Sequence, residues 1–407
     1  MDKDRLLRLQ TYSPILGNVA YLDNAATAQM SALTRASLEL DIKQVRGNPG
    51  RGLYQASTDA EESIEHCRKT VAKFVNARSE KEIVFTSGTT ESLNMVARWC
   101  EDKLSPGDRI VVGLQEHHSN LLPWVEIARR KGAMIVTVEP DESGRITWES
   151  MYSAITDRTC VVALSMIGNV YGFQNDMSWI APMAHKVGAL FVVDAAQAAM
   201  HTKIDVQKMD CDFLAFSGHK VGAPFGIGVL YGKEEMFQTG TPLNLGGGMV
   251  EEFSMHGNIT YTYKEPPYRF EAGTRNPFGC IGLTAAIDTL NYIGFDIIKD
   301  RERDLTEALL KELDNVHGVH IIGGSGVDEH KSLVSFTLDG VHAHDVAAIL
   351  AENNVYVRAG KMCAQPLMEH LGVPAVVRAS VAFYNAFMDV ARFGDALKTV
   401  RSTMGVE

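Results

Sequence analysis

Leu190-Phe191-Val192-Val193-Asp194-Ala195-Ala196-Gln197, followed at a short distance by Phe213-Leu214-Ala215-Phe216-Ser217-Gly218-His219-Lys220, is the stretch on which the fold turns. Each half opens with a continuous apolar run and no polar alternation, which is how a strand covered on both faces reads. Each run leads into one charged group, a carboxylate at Asp194 and an amine at Lys220. Working outward, similar runs recur at Ile83 to Thr86, Arg109 to Gly113, Ala133 to Val138, Cys160 to Ser165 and Gly226 to Tyr231, with helix-like stretches between them. The alternation predicts an α/β domain on a large, doubly wound, mainly parallel sheet. In such a sheet ligands bind in the crevice beyond the carboxyl ends of the strands, where Asp194 and Lys220 fall.

Past residue 282 the register changes. A long charged helix pattern around Tyr292 to Val316 precedes the runs Val319 to Ile322, Ser332 to Leu338 and Val355 to Arg358. The expected division is a large domain over 16–282 and a smaller C-terminal α/β domain over 283–407, with residues 1–15 packing against the latter. A chain of 407 residues is long enough for two cores. With 45% hydrophobic residues it has the composition of a globular protein, and its net charge of −11 argues against nucleic-acid and anionic-membrane partners. Met1-Asp2-Lys3-Asp4-Arg5 leads into no apolar segment, and no apolar run reaches the roughly 18 residues that span a bilayer, so a cytoplasmic location is expected. The six cysteines lack CxxC pairing and finger-like histidine spacing, which points to free thiols and no metal site.

The chemistry-bearing residues sit at strand ends. An amine at the mouth of a buried strand, flanked by Ser217, Gly218 and His219, suits an enzyme that holds pyridoxal phosphate as a Schiff base, although a lone lysine is more commonly a surface charge. Asp194 is placed to pair with a protonated pyridine nitrogen; capping the next helix is the alternative. The turn Ser87-Gly88-Thr89-Thr90-Glu91 opens a helix whose free N–H groups and dipole suit a phosphate. His117, in Gln115-Glu116-His117-His118-Ser119-Asn120, is positioned to lie on the ring and relay protons, with a structural cap by Ser119 or Asn120 as the alternative. Asn169 follows the strand from Cys160 and is a candidate for a cofactor oxygen or a substrate carboxylate.

The small domain contributes Val357-Arg358-Ala359-Gly360-Lys361-Met362-Cys363-Ala364-Gln365-Pro366. Gly360 and Pro366 bracket a loop that carries Cys363 beside Lys361, an unusual setting for a structural cysteine and a suitable one for a nucleophile. Arg378 offers a planar fork for an α-carboxylate, or else a surface ion pair. His342 and His344 precede a helix and are read as caps, and the other five cysteines as core.

In ordered combination these stretches resemble the class V, fold-type I pyridoxal phosphate enzymes, and among them the cysteine desulfurases of the SufS and CsdA type. The matching segments also include Tyr21-Leu22-Asp23-Asn24-Ala25-Ala26, Arg269-Phe270-Glu271-Ala272-Gly273-Thr274-Arg275-Asn276 and Arg378-Ala379-Ser380. The resemblance implies Lys220 as the Schiff-base lysine, His117 on the ring face, Asp194 on the pyridine nitrogen and Gln197 near the ring oxygen. It implies Thr89, Thr90, Ser217 and His219 as phosphate ligands, with Thr274 lent by the other subunit of a homodimer. Asn169, Arg358 and Arg378 match substrate contacts, and Cys363 matches the nucleophile that becomes a persulfide. L-cysteine is then the substrate and a separate sulfur-acceptor protein the partner. Other reactions on this scaffold, such as selenocysteine lyase, cysteine β-lyase or aminotransferase, are the alternatives, with a non-catalytic partner protein behind them. The chain departs from the family at Met362 and at Tyr54 after Arg51-Gly52-Leu53, two places where histidine is common.

Overall fold

The computed structural model describes residues 4, 9–10, 12, 16–50 and 52–406. Its large sheet has seven strands, β1 (Ile83–Thr86), β2 (Arg109–Gly113), β3 (Met134–Val138), β4 (Thr159–Ser165), β5 (Leu190–Asp194), β6 (Phe213–Ser217) and β7 (Gly228–Gly232), in the order β1-β7-β6-β5-β4-β2-β3. Successive side chains of the central strands enter two different cores. Val111, Val162, Leu164, Phe191 and Val193 pack on one face, and Ile110, Val112, Val161, Ala163 and Val192 on the other. That two-sided burial is why these runs are continuously apolar.

β2 through β6 run parallel, whereas β7 is antiparallel to both of its neighbours, β1 and β6. The reversal was not legible in the apolar run at 226 to 231. It follows from the connection 218–227, which is too short for the crossover that a parallel neighbour needs. This tight return is also the segment that carries Lys220.

Helices α1 (Gln55–Val75), α2 (Thr89–Glu101), α3 (Pro277–Ile293) and α4 (Phe295–Asp314) cover or extend the sheet. A hairpin, β8 (Val250–Ser254) with β9 (Thr260–Tyr263), stands apart from it. The small domain is a four-stranded antiparallel sheet of β10 (Val319–Ile322), β11 (Leu333–Leu338), β12 (Arg358–Gly360) and β13 (Val376–Ser380), in the order β10-β11-β13-β12. Its core joins Leu305, Leu309, Phe336, Val377 and Phe393, and draws in Ala20 and Leu22 from the N-terminal segment. Leu283, Leu290, Ile297 and Ile298 pack in the large core, as do Ala382 and Phe383 from near the C-terminus.

Most of residues 1–15 lie outside the described residues. Of the rest, Leu9 and Tyr12 pack in the large core, and the Tyr12 ring stacks on Tyr384 at 4.7 Å. Tyr12 thus meets Phe383 and Tyr384 of the 283–407 segment while packing in the large core. Among the described residues no single helix is long and apolar enough to cross a membrane.

One buried ion pair ties α1 to the sheet edge. Both Nη atoms of Arg68 donate to Glu271, at 2.7 and 2.9 Å, and Glu271 also accepts from the Phe85 N–H at 2.8 Å. Arg68 Nη1 donates to the Ile83 carbonyl as well, so a single guanidinium joins α1, β1 and the segment leading to Thr274. Removing one partner of such a pair strands the other charge in the interior. Glu271→Gln is expected to lower unfolding stability by about 3 kcal/mol in urea titration, with Arg68→Met/Glu271→Leu closer to wild type than Glu271→Gln alone.

Candidate active site

Five strand ends converge on one cavity of roughly 540 Å³. β1 leads to Thr89 and Thr90, β2 to His117, β4 to Asn169, β5 to Asp194 and Gln197, and β6 to Ser217, His219 and Lys220; all of these side chains line it. The small domain closes it with Arg358, Lys361, Met362, Cys363 and Arg378. The predicted site is thus brought together with one exception. Thr274 lines a different cavity, with Asn48, Gly50, Gly247 and Gly248.

At the cavity floor α2 begins behind Gly88. The Thr89 N–H donates to Ser217 Oγ at 2.8 Å, and Thr89 Oγ1 lies 2.8 Å from the same oxygen. Backbones approach closely here, since a Cβ on Gly228 would stand 2.3 Å from the Gly88 Cα. Thr90 Oγ1 meets Ser119 Oγ at 2.7 Å. A helix N-terminus ringed by hydroxyls is built for an anion. Close by, His219 packs against the Phe225 ring at 5.3 Å and points Nδ1 at Thr27 Oγ1, 3.3 Å away.

The charges are arranged by burial. Withdrawal from water pushes the Lys220 amine down to about 8, against the opposing pull of the Asp194 carboxylate. Asp194 is buried and its pKa is raised by desolvation, with the Ala196 N–H, 2.8 Å from Oδ1, and Lys220 acting the other way. Burial, reinforced by the Lys220, His118 and Arg378 charges, brings His117 down to about 4, so the ring is neutral at neutral pH. Its tautomer is fixed by a cap that sequence reading placed on Ser119 or Asn120. His117 Nδ1 itself accepts the Ser119 N–H at 3.1 Å, which leaves the proton on Nε2. Lys220, Arg358, Lys361 and Arg378 face Asp194 in the lining, so in a chain of net charge −11 the cavity is locally cationic.

Both arginines meet a residue whose role the sequence did not disclose. Asp23 accepts from Arg358 Nε and Nη2 at 3.2 and 3.1 Å and lies 3.5 Å from Arg378 Nη2. In the sequence it stands within Tyr21-Leu22-Asp23-Asn24, and 335 positions separate it from Arg358, beyond the reach of any local pattern. Arg378 is buried, not a surface ion pair; its Nη1 donates to the Asn169 carbonyl at 2.9 Å, while its Nε has no partner among the described residues. The guanidinium lines the cavity, although this N–H is itself sealed from solvent. Gln197 Nε2 donates to the Ala25 carbonyl at 2.7 Å. Behind His117, the buried Glu116 accepts from the Ser165 N–H at 2.9 Å and from Asn120 at 2.6 Å, and burial raises it to about 7.

The thiol arrives on a strained loop. Met362 and Cys363 are consecutive non-glycine residues at φ 53° and 52°, a left-handed conformation costing roughly 1–2 kcal/mol per residue. Met362, where the family often has histidine, is buried with Val170, Tyr171 and Leu367, and helix α5 (Gln365–Leu371) starts immediately afterwards. Cys363 is exposed, whereas Cys67, Cys100, Cys211 and Cys280 are buried and Cys160, read from sequence as core, is half-buried. His342 caps its helix as expected, Nδ1 accepting from the His344 N–H. Tyr54 precedes α1 and is exposed; Arg51 lies outside the described residues.

Comparison with known proteins agrees with this geometry. Residues 20–393 match the family model for class-V aminotransferases. Over 388 residues the chain is 39% identical to a probable cysteine desulfurase of Halalkalibacterium halodurans, covering 95% of this chain and 94% of that one. A cysteine desulfurase of Cronobacter sakazakii is 40% identical over 389 residues, with the same coverage of 95% and 94%. Among solved structures, the Escherichia coli cysteine desulfurase CsdA superposes with TM-score 0.90 at 35% identity over 99% of both chains. A cysteine desulfurase from Thermococcus onnurineus superposes equally well, with TM-score 0.90 at 39% identity over 95% of each. The chain belongs to the class-V aminotransferase family, with cysteine desulfurases as its relatives over nearly the whole length.

Proposed function

We propose that this protein is a pyridoxal-phosphate-dependent cysteine desulfurase. It converts L-cysteine to L-alanine and takes the sulfur onto Cys363 as a persulfide, for delivery to an acceptor protein in iron–sulfur cluster or other thio-cofactor assembly. The observation that carries the reading is the meeting, in one cavity, of an amine with a lowered pKa, a buried carboxylate and an exposed thiol brought in by a separate domain.

The residues fit the cofactor. Thr89, Thr90, Ser217, His219 and the α2 N-terminus would hold its phosphate, Asp194 its ring nitrogen, Gln197 its ring oxygen and His117 its ring face, with Lys220 attached covalently. Bound there, pyridoxal phosphate supplies an electron sink conjugated to the substrate Cα. Arg378 and Arg358 orient the substrate carboxylate. Lys220 has a substantial neutral fraction near pH 8 and takes the Cα proton. His117 keeps an Nε2 proton to offer across the ring face. The Cys363 thiolate attacks the substrate sulfur. The Cβ–S bond breaks, an S–S bond forms on Sγ, and the electron pair left on carbon is protonated to give the methyl group of alanine.

A homodimer belongs to the same reading. Thr274 lies outside the cavity formed by its own chain, and the resemblance has that residue complete the phosphate site of the other subunit.

With L-cysteine and a thiol reductant, wild type is expected to yield equal alanine and sulfide. Cys363→Ala should keep the cofactor absorbance and lose more than about a hundredfold in both products; pyruvate in place of alanine, or an unaffected variant, would overturn the reaction. Covalent cofactor uptake needs the neutral amine, so its rate in cofactor-free protein, followed by absorbance, should rise about tenfold per pH unit below 8 and level off above. Asp194 raises the Lys220 pKa, so Asp194→Asn should move that break to lower pH.

A further inference from the structure

The Asn169 side chain, read from sequence as a ligand contact, is already engaged. Its Nδ2 donates to the Met362 carbonyl at 2.8 Å, and the next carbonyl along, that of Cys363, accepts from the His118 N–H at 2.8 Å. These two bonds fall on the two left-handed residues of the loop. On its other side Asn169 is tied to the ligand-facing guanidinium, because its main-chain oxygen takes Arg378 Nη1 at 2.9 Å. One residue therefore touches both the strained peptide that carries Cys363 and the Arg378 guanidinium. The carboxamide also lines the cavity, within reach of whatever occupies it.

We propose that Asn169 is a positioning residue that latches the Cys363 loop in its left-handed conformation, and that an amino-acid ligand opens the latch by taking the amide for its own carboxylate. A charged acceptor draws the carboxamide more strongly than a neutral carbonyl does, and an amide that turns to meet it carries both of its N–H groups away from Met362. Once Met362 loses that bond, the loop keeps the backbone cost of two left-handed residues with less to hold it there, and Cys363 is freed to move toward the substrate sulfur. The step rests on the amino-acid reading of the cavity; the latch itself does not. Backbone strain at a functional loop becomes useful when a ligand can release it.

Deuterium uptake by the holoenzyme, resolved over residues 358–366, tests it. One net hydrogen bond of ordinary strength corresponds to about fivefold in a local opening equilibrium. Saturating L-alanine, with binding followed by the cofactor absorbance, should speed exchange at residues 361–364 by about that factor, the reverse of the slowing that ligands usually cause. Asn169→Ala should show the same fast exchange without ligand and no further response, with the pairing at residues 376–380 unchanged. A merely destabilising substitution would raise exchange across the whole small-domain sheet. Wild-type exchange in ligand-free Asn169→Ala, or slower loop exchange in wild type with alanine bound, would overturn the latch. If no amino acid perturbs the cofactor absorbance, the amino-acid reading fails instead, and the ligand-free comparison still decides the latch.

Discussion

Everything at this site follows from holding positive charge in a cavity partly withdrawn from water. Lys220, Arg358, Lys361 and Arg378 line it with only Asp194 opposing them, and Asp23 supports the two arginines from outside the lining. Burial lowers the proton affinity of Lys220 most, with the Arg378 and Arg358 charges adding to it and Asp194 opposing. The group least able to resist is the lysine, because an arginine stays charged where an ammonium loses its proton. The constellation therefore yields one amine that gives up its proton near pH 8 among cations that do not, which suits the proposed attachment point and proton acceptor. It also prepares the cavity for a ligand that brings several negative charges, such as a phosphate together with a carboxylate.

The fold supplies this arrangement cheaply. Parallel strands end on the same side, so five unrelated segments deliver side chains to one crevice without any long loop. The exception, β7, is what lets the Lys220 turn be short and stiff. The Cys363 thiol comes from elsewhere, on a loop of the second domain that is fastened to the first through Asn169 and His118. Asp23 and the short pairing of Ala20–Tyr21 with Val355–Tyr356 hold the two domains together at the same place. The position of the thiol is therefore set by interdomain contacts, whereas the position of the amine is set by the sheet.

That division explains what could be read from the sequence. Lys220, Asp194, His117 and Thr89 were legible because each stands at the end of its own apolar run, and strand ends are local features. Cys363 was legible because glycine and proline mark its loop. Asp23 was not, since its meaning lies in two arginines more than three hundred positions away. Nor was the use of the Asn169 amide, which depends on how two domains meet. The reversed direction of β7 was hidden because burial on both faces makes a strand apolar whichever way it runs. Thr274 was placed by resemblance alone; its segment is anchored by Arg68 and Glu271, which no periodicity relates.

The distribution of thiols decides how this protein ages. Four cysteines are sealed in the interior, one is half-covered, and the fully accessible one is Cys363. A peroxide arriving from solution thus meets Cys363 before it meets any sulfur sealed in the core. On the proposed role of Cys363, molecules over-oxidised there lose the ability to receive sulfur while the buried thiols of the core stay untouched. Antibody signal, absorbance and melting temperature would all count such molecules as sound, and a free-thiol assay would not.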